Sequence, residues 1–178
     1  DLVDEVQGDR KAEAVILGSL AQLHAMEGRF ELARSLYTQS QQLLADLGPS
    51  ITGASTAFEA SRVEMLAGDP SAAEGFLRRD YLQLEAVGER YFRSSIAAFL
   101  AHALWATAKF ADADTYAQIA EELTDADDVW SQVAWRTVRA KLLARDGRFD
   151  EAIALATGAV HLAAGTSNID QHADALVD

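Results

Sequence analysis

Apolar residues recur at helical spacing along almost the whole chain, and short runs of Gly, Pro and polar residues interrupt them. No useful length of strand-like alternation occurs, so the pattern predicts an all-α fold. The predicted breaks lie at 47–50, 87–90, 124–128 and 163–168. The predicted helices span 10–27, 30–47, 51–67, 71–87, 91–107, 110–123, 128–145 and 149–163. Residues 1–8 are expected to end a preceding helix, and residues 169–178 to begin a further one.

One turn sequence occurs twice, as EGRFELA at 27–33 and as DGRFDEA at 146–152. Aligning the chain on its glycine gives four equivalent turn residues: Gly28, Gly68, Ala108 and Gly147. The intervals between them are 40, 40 and 39 residues. A fixed interval of this size indicates a stacked structural repeat.

Four further positions keep the same period. Five residues after the turn residue stands an alanine each time: Ala33, Ala73, Ala113 and Ala152. Seven before it stands a small residue: Ala21, Ser61, Ala101 and Ala140. Eight after it stands a large apolar residue: Leu36, Phe76, Tyr116 and Leu155. Two after it stands an aromatic residue or proline: Phe30, Pro70, Phe110 and Phe149.

These positions make physical sense in a helical hairpin. Small residues on both helices let their backbones approach, and a turn glycine suits a left-handed helix cap. The phenylalanine is expected to anchor the second helix, and a first-turn proline replaces it at Pro70. The large apolar residue is expected to be buried by the neighbouring hairpin. The sequence therefore predicts an α–α superhelix of four helical hairpins with partial flanking helices.

The columns resemble the tetratricopeptide repeat family, through Ala21–Gly28–Phe30–Ala33 and Ala140–Gly147–Phe149–Ala152. The chain departs from the family at Ala108 and Pro70, and its units exceed the usual length of about 34 residues. The resemblance covers nearly the whole chain and implies a single repeat domain over 1–178. Its units would be 10–48, 50–88, 91–125 and 128–165, with 169–178 as the truncated start of a next one.

Longer units of this type are similar to the helical arrays of multidomain bacterial regulators, of the cyclase type or the LuxR and MalT-like type. In those proteins the array follows a nucleotide-binding ATPase module, and an output domain lies at another end. The resemblance therefore implies that this chain is a fragment of a larger signalling or transcriptional regulator.

Composition narrows the class of partner. The formal net charge is −13, which repels phosphate backbones, so direct nucleic-acid binding is not expected. Cysteine is absent from the sequence, which excludes disulfides and thiolate chemistry. No apolar run approaches the roughly 20 residues of a membrane span. We expect a cytoplasmic protein without a membrane partner.

Motifs for catalysis are missing from the sequence. The four histidines form no H-E-x-x-H pattern, and neither a P-loop nor a G-x-S-x-G elbow occurs. His161 and His172 lie near Asp170 and Asp174, which would allow a metal site. The interpretation of these residues as solvated helix ends is favoured over it. The carboxylates show no evidently apolar setting that would raise a pKa for acid–base work. We therefore expect no enzymatic activity, no metal and no cofactor.

The first helices of such hairpins line a concave groove. Six residues before each turn residue stands a polar column: Gln22, Arg62, His102 and Lys141. Phe58, Met65 and Trp105 add an apolar patch beside it. These seven residues are the predicted binding groove, which suits an extended acidic or C-terminal peptide. In the alternative interpretation, Arg62 and Lys141 pair with acids such as Glu59 or Glu64, and Trp105 belongs to the core.

The leading functional hypothesis is a non-catalytic interaction and scaffolding module that holds a protein or peptide partner. A second hypothesis is an effector- or peptide-sensing domain, in which binding changes the superhelix and switches a distant output domain. A third is a homo-oligomerisation module, with a homodimer formed through exposed terminal helices.

Overall fold

The computed structural model describes the backbone of residues 2–47, 51–167 and 169–177, and the side chains of residues 9–47, 58–167 and 171–177. Within these ranges the chain forms nine helices and no strand, so the fold is all-α, as predicted. The helices are α1 (Leu2–Met26), α2 (Phe30–Asp46), α3 (Ile51–Leu66), α4 (Pro70–Ala86), α5 (Tyr91–Ala106), α6 (Phe110–Leu123), α7 (Val129–Arg145), α8 (Phe149–Ala164) and α9 (Ile169–Val177).

Helix bounds follow the sequence prediction to within one residue from α2 to α8. The exception is α1, which runs continuously from Leu2 to Met26 and takes in residues that we expected to end a separate, preceding helix. No proline interrupts this stretch, and the two glycines within it, Gly8 and Gly18, weaken a helix without ending it. The expected helix after residue 168 is present as α9.

The chain divides into two compact units, the first ending at Leu84 and the second beginning at Glu85. In the first unit, α1 and α2 lie side by side and α3 packs against both. The buried core between them consists of Ala21, Ala25, Ala33, Tyr37, Ala60 and Val63. Phe76 of α4 closes this core from one side, with its ring centre 5.7 Å from that of Tyr37 in an edge-on arrangement.

In the second unit, α5 pairs with α6 and α7 pairs with α8, while α7 also packs against α5 and α6. Trp130 of α7 lies over Phe99 of α5, with ring centres 6.0 Å apart. Helix α9 packs against α7 and α8, where Ala175 joins the buried Ala159 and Ala163. The side-chain amide of Gln171 donates to the carbonyl of Trp130 at 2.8 Å and fixes this last helix.

The four turns share one hydrogen-bond pattern. The residue after each turn residue donates its N–H, at 2.8–2.9 Å, to the carbonyl five positions earlier: Arg29 to His24, Asp69 to Glu64, Lys109 to Leu104 and Arg148 to Leu143. The turn residues have left-handed φ values of 76°, 78°, 58° and 80° for Gly28, Gly68, Ala108 and Gly147. The predicted left-handed cap is therefore confirmed at all four positions, including the one occupied by alanine.

The alanine column follows from the same turns. The carbonyl of the residue after each turn residue accepts the first helical bond, from the N–H of Ala33, Ala73, Ala113 or Ala152. These alanines are 0%, 0%, 0% and 6% exposed. The small column seven residues before the turn is also buried. Close helix pairing through small residues is thus confirmed.

The expected anchoring by phenylalanine holds at some turns and is wrong at one. Helix α4 begins at Pro70, as predicted, and Phe110 lies between Trp105, with ring centres 4.9 Å apart, and the guanidinium of Arg145, at 4.1 Å. Phe149, in contrast, is 64% exposed. Helix α9 packs against the far end of α8 and leaves this ring uncovered.

Candidate functional site

One face of α3 carries Phe58, Arg62 and Met65 at spacings of four and three residues, so the three side chains line up along the helix. We call this row the α3 stripe. All three are partly exposed, whereas Ala60 and Val63 on the other faces of α3 are fully buried in the core of the first unit. Phenyl, guanidinium and thioether groups in a row offer two apolar contacts on either side of a cation.

The carboxylate of Glu59 lies close enough to interact electrostatically with Arg62. Burial raises the pKa of Glu59 to about 7, and the positive charge of Arg62 opposes that rise in part. Glu59 is therefore an electrostatic neighbour of Arg62 on the same helix, beside the α3 stripe. A carboxyl group with this pKa is only partly ionised near neutral pH.

Glu64, the other acid considered for Arg62, has different partners. Its side chain is 4% exposed and accepts hydrogen bonds from Arg34 at 2.7 Å and from the hydroxyl of Tyr37 at 2.8 Å. Arg34 and Tyr37 lie on α2, so this buried cluster joins the second helix of one hairpin to the first helix of the next. Nothing local to residue 34 or 64 marks this pairing, so it could not be predicted from the sequence.

An ion pair at the equivalent position in the second unit also joins two hairpins, with the charges exchanged. Arg34 stands six residues after its turn, and so does Asp114 on α6. Asp114 accepts from Arg139 of α7 at 2.7 Å. Three of the four residues in this column are charged, Arg34, Glu74 and Asp114, and this is the signal in the sequence that indicates such ion pairs.

Gln22, the first member of the polar column, is half-buried on α1, which packs against α3 within the first unit. In the second unit, His102 Nε2 lies 2.8 Å from the carbonyl of Ala134 and 3.1 Å from the hydroxyl of Thr137. Because a carbonyl only accepts, Nε2 carries the proton in this contact. His102 therefore contributes to the contact between α5 and α7.

The remaining predicted groove residues of the second unit are also partly buried. Trp105 packs on Phe110 across its own turn and stays partly exposed. Lys141 is half-buried on α7. Of the seven predicted residues, three lie in the row on α3, which is the largest set that one helix aligns on a single, partly exposed face.

A cleft of about 630 Å³, which the sequence analysis did not anticipate, lies beside the turn between α5 and α6. Lys109, Phe110 and Asp112 line one side of it, and Leu142 and Arg145 line the other. The cleft contains cations and carboxylates together, and Arg145 already covers the ring of Phe110. Its walls are parts of the contact between two hairpins of the second unit.

Two carboxylates contradict the expectation that no acid lies in an apolar setting. Burial raises the pKa of Glu59 to about 7 and that of Asp80 to about 6, the latter opposed by Arg79, whose Nε lies 3.1 Å away. Sequence spacing did not reveal this burial, because it depends on which helices cover each residue. Glu59 packs against Gly18 of α1, and neither carboxylate lines the cleft.

Within the described residues, no group of three or more His, Cys, Asp or Glu side chains has the arrangement of a metal site. The side chain of Asp170, considered beside His161, lies outside those residues. Across the described part of the chain, none of the helices has the length and apolar character needed to span a bilayer.

No known protein-family profile matches this sequence, and no curated protein is significantly similar to it.

Proposed function

We propose that this chain is a non-catalytic protein-interaction module, of the tetratricopeptide-like kind, that holds a peptide or protein segment against its first helices. The observation that carries the proposal is the α3 stripe: Phe58, Arg62 and Met65 stay partly exposed, while Ala60 and Val63 on the other side of the helix are buried. A helix presents such a row at fixed spacing, and apolar and charged groups at fixed spacing are what recognition of a peptide requires.

The chemistry of the stripe defines the partner. Arg62 favours a carboxylate, from an acidic side chain or a chain terminus, since guanidinium and carboxylate form paired hydrogen bonds. Phe58 and Met65 favour apolar side chains on either side of that carboxylate, and a methionine adapts to different shapes. The fitting partner is an acidic segment with apolar residues flanking the charge, within a larger bacterial regulator or on a protein that it recruits.

The proposal is tested with a displayed peptide library selected on the 178-residue chain. The selected peptides should be enriched in the pattern apolar–acidic–apolar. Arg62→Glu should weaken their binding at least roughly tenfold, because it removes the attraction and adds a repulsion. Adding Lys141→Glu, on the equivalent position of α7, tests whether the second unit takes part.

Lys11→Glu is the matched control, since it makes the same change in net charge at an exposed position on α1. Circular dichroism of each variant verifies that the helices remain. Equal affinity of wild type and Arg62→Glu for the selected peptides would remove the α3 stripe as the site. A library that yields no binding peptide would argue against peptide capture altogether.

A further inference from the structure

The starts of α5 and α7 lie side by side in the second unit. Near these starts, the hydroxyl oxygens of Ser95 and Ser131 are 2.7 Å apart. Further along both helices, His102 Nε2 lies 3.1 Å from the hydroxyl of Thr137. The two helices therefore run in the same direction. This arrangement places Tyr91, the first residue of α5, beside the acidic loop that precedes α7.

Two aromatic rings are exposed at this corner. Tyr91 is 51% exposed and Phe92 is 37% exposed, and their ring centres are 5.5 Å apart in an edge-on arrangement. The carboxylate of Glu89 accepts hydrogen bonds from the backbone N–H groups of both residues, at 3.0 and 2.9 Å, and so fixes the start of α5. Among the described residues, no arginine or lysine lies over either ring.

Three carboxylates act on the hydroxyl of Tyr91. The pKa of this residue is raised, first by the carboxylate of Asp128, then by partial burial, and then by Asp127 and Asp125. Arg90, which precedes it in the sequence, is exposed and does not contribute to this shift. None of the three carboxylates forms an ion pair within the described ranges. The charge beside the Tyr91 ring is therefore negative and is not neutralised by the chain itself.

The loop before α7 does not use these charges to hold its own shape. Asp128 caps α7 by accepting from the backbone N–H of Ser131 at 3.2 Å, while its Oδ2 is buried without a donor in the described part of the chain. The backbone carbonyl of Asp125 accepts from the side-chain amide of Gln132 at 3.0 Å. The carboxylates of Asp125 and Asp127 remain exposed, so both can bind a partner.

A similar combination of groups elsewhere in this unit includes an arginine. Phe110 is the first residue of α6, as Tyr91 is of α5. The guanidinium of Arg145 lies 4.1 Å from the centre of the Phe110 ring, and its Nη1 lies 3.3 Å from the carboxylate of Asp146. A planar guanidinium can stack on a ring and donate to a carboxylate at the same time. At Tyr91 the ring and the carboxylates are present, and the guanidinium is missing from the described chain.

Tyr91, Phe92, Asp125 and Asp127 form one exposed surface, which we call the aromatic–acidic patch. We propose that this patch binds an arginine side chain from a basic segment of a partner protein. The guanidinium stacks on the Tyr91 ring and donates to the carboxylate of Asp127, while Asp125 adds attraction and Phe92 adds apolar contact.

Charge complementarity selects this occupant. The patch is negative, and the net charge of −13 attracts a basic partner from a distance. The patch also lies outside the cleft of about 630 Å³, on an open surface. Enclosed sites suit small molecules, whereas an open surface suits a segment of a protein. This inference does not depend on peptide binding by the α3 stripe.

The test is a nuclear magnetic resonance titration of the nitrogen-15-labelled 178-residue chain with the blocked peptide Gly-Ser-Arg-Gly-Arg-Ser-Gly. The backbone signals of Tyr91, Phe92 and Asp127 should shift, with a dissociation constant of roughly 50–500 µM. The same peptide with glutamine in place of arginine should cause no shift. With lysine in place of arginine it should bind at least about threefold more weakly, because an ammonium group neither stacks nor forms paired hydrogen bonds.

Two variants remove the proposed contacts. Tyr91→Ala should raise the dissociation constant of the arginine peptide roughly fivefold, and Asp127→Asn at least about threefold. Phe149→Ala is the matched control for the ring, since Phe149 is also the first residue of a helix and is 64% exposed. Asp150→Asn is the matched control for the charge, since Asp150 is exposed at the start of α8. Both controls should keep the dissociation constant within about a factor of two.

Several outcomes would overturn the proposal. One is the absence of any shift up to about 2 mM peptide. Another is a loss of affinity in Tyr91→Ala and Asp127→Asn no larger than in the controls, with circular dichroism showing that all four variants are folded. Equal affinity for the lysine peptide would overturn the assignment to a guanidinium. N-acetylarginine amide binding as tightly as the peptide would assign the patch to a small guanidinium compound and overturn the protein partner.

Discussion

The carboxylate of Glu59 lies directly on Gly18, so that a Cβ at position 18 would overlap Glu59 Oε2. Glu59 belongs to α3 and Gly18 to α1, and the contact holds the two helices at the distance the glycine permits. Oε2 of Glu59 is buried and has no hydrogen-bond donor within the described part of the chain. Gly18 therefore has a structural role within the long helix α1, because its missing side chain leaves room for a buried carboxyl group.

Replacing Gly18 by alanine sets two effects against each other. Alanine favours a helix over glycine by up to about 1 kcal/mol, but its methyl group would displace the Glu59 carboxyl. We expect Gly18→Ala to raise the free energy of unfolding by less than the same change does where space is open, because the flexible Glu59 side chain must first move aside. Gly75 and Gly158 are such positions, since nothing lies within 4 Å of a Cβ built there.

Urea denaturation of the three Gly→Ala variants measures the difference. Gly75→Ala and Gly158→Ala should each stabilise the protein, by roughly 0.5–1 kcal/mol. In a Glu59→Ala background the penalty at Gly18 should disappear, because the overlapping group is gone. Equal effects at all three glycines would show that Glu59 does not rest on Gly18.

Glu59 also predicts a pH dependence of stability. Its pKa is about 7 in the folded chain, above the ordinary value of 4.5 that applies when the chain is unfolded. The folded state therefore holds a proton that the unfolded state releases, and this contribution to stability is full below pH 4.5 and lost as the pH rises through about 7. Asp80, with a pKa of about 6, adds a change of the same sign.

Glu59→Gln isolates the first contribution, because glutamine stays neutral. Between about pH 5 and pH 8 the wild type should lose roughly 1–2 kcal/mol more unfolding free energy than the variant, less than full linkage gives because the side chain keeps some contact with water. Urea titrations at several pH values measure this. Glu13→Gln, at an exposed position of α1, should keep the slope of the wild type. A Glu59→Gln slope equal to that of the wild type would contradict the assignment.

Features set by neighbouring residues could be predicted from the sequence. Gly28 caps a helix in the left-handed conformation, and Ala33 lets two helices approach closely. Both residue types recur at a fixed interval along the sequence, which is why they could be predicted. The face shared by Phe58, Arg62 and Met65 follows from helix geometry alone. These features depend on spacings of a few residues, which the sequence states directly.

Features set by contacts between helices could not be predicted in the same way. Phe149 occupies the same column as Phe110, yet only Phe110 is covered, because Arg145 comes from the following helix. The burial of Glu59 depends on Gly18, 41 residues earlier in the chain. For the same reason, the position of His102 on α5 did not predict its contact with α7.

Ala108 offers a direct gain in stability. It has a φ of 58°, in the left-handed region, where the other three turns have glycine. An alanine there costs roughly 1 kcal/mol, because its Cβ approaches the following carbonyl. Ala108→Gly should therefore raise the free energy of unfolding by about 0.5–1 kcal/mol. The reverse change, Gly147→Ala, should lower it by about 1 kcal/mol, and thermal denaturation of both should show shifts of opposite sign. Two shifts in the same direction would contradict the argument.

Tyr37 tests the buried cluster that joins the first two hairpins. Its hydroxyl donates to Glu64 at 2.8 Å, and burial together with this carboxylate raises the pKa of Tyr37 to about 12. Tyr37→Phe keeps the ring against Phe76 but removes the donor, so it should destabilise the protein by roughly 1.5–3 kcal/mol. Tyr91→Phe, at a residue 51% exposed, should change stability by less than about 0.5 kcal/mol. Equal losses of unfolding free energy for Tyr37→Phe and Tyr91→Phe would show that the hydrogen bond from Tyr37 to Glu64 does not stabilise the protein. The interaction of Arg34 with Glu64 would then be the one that stabilises the cluster.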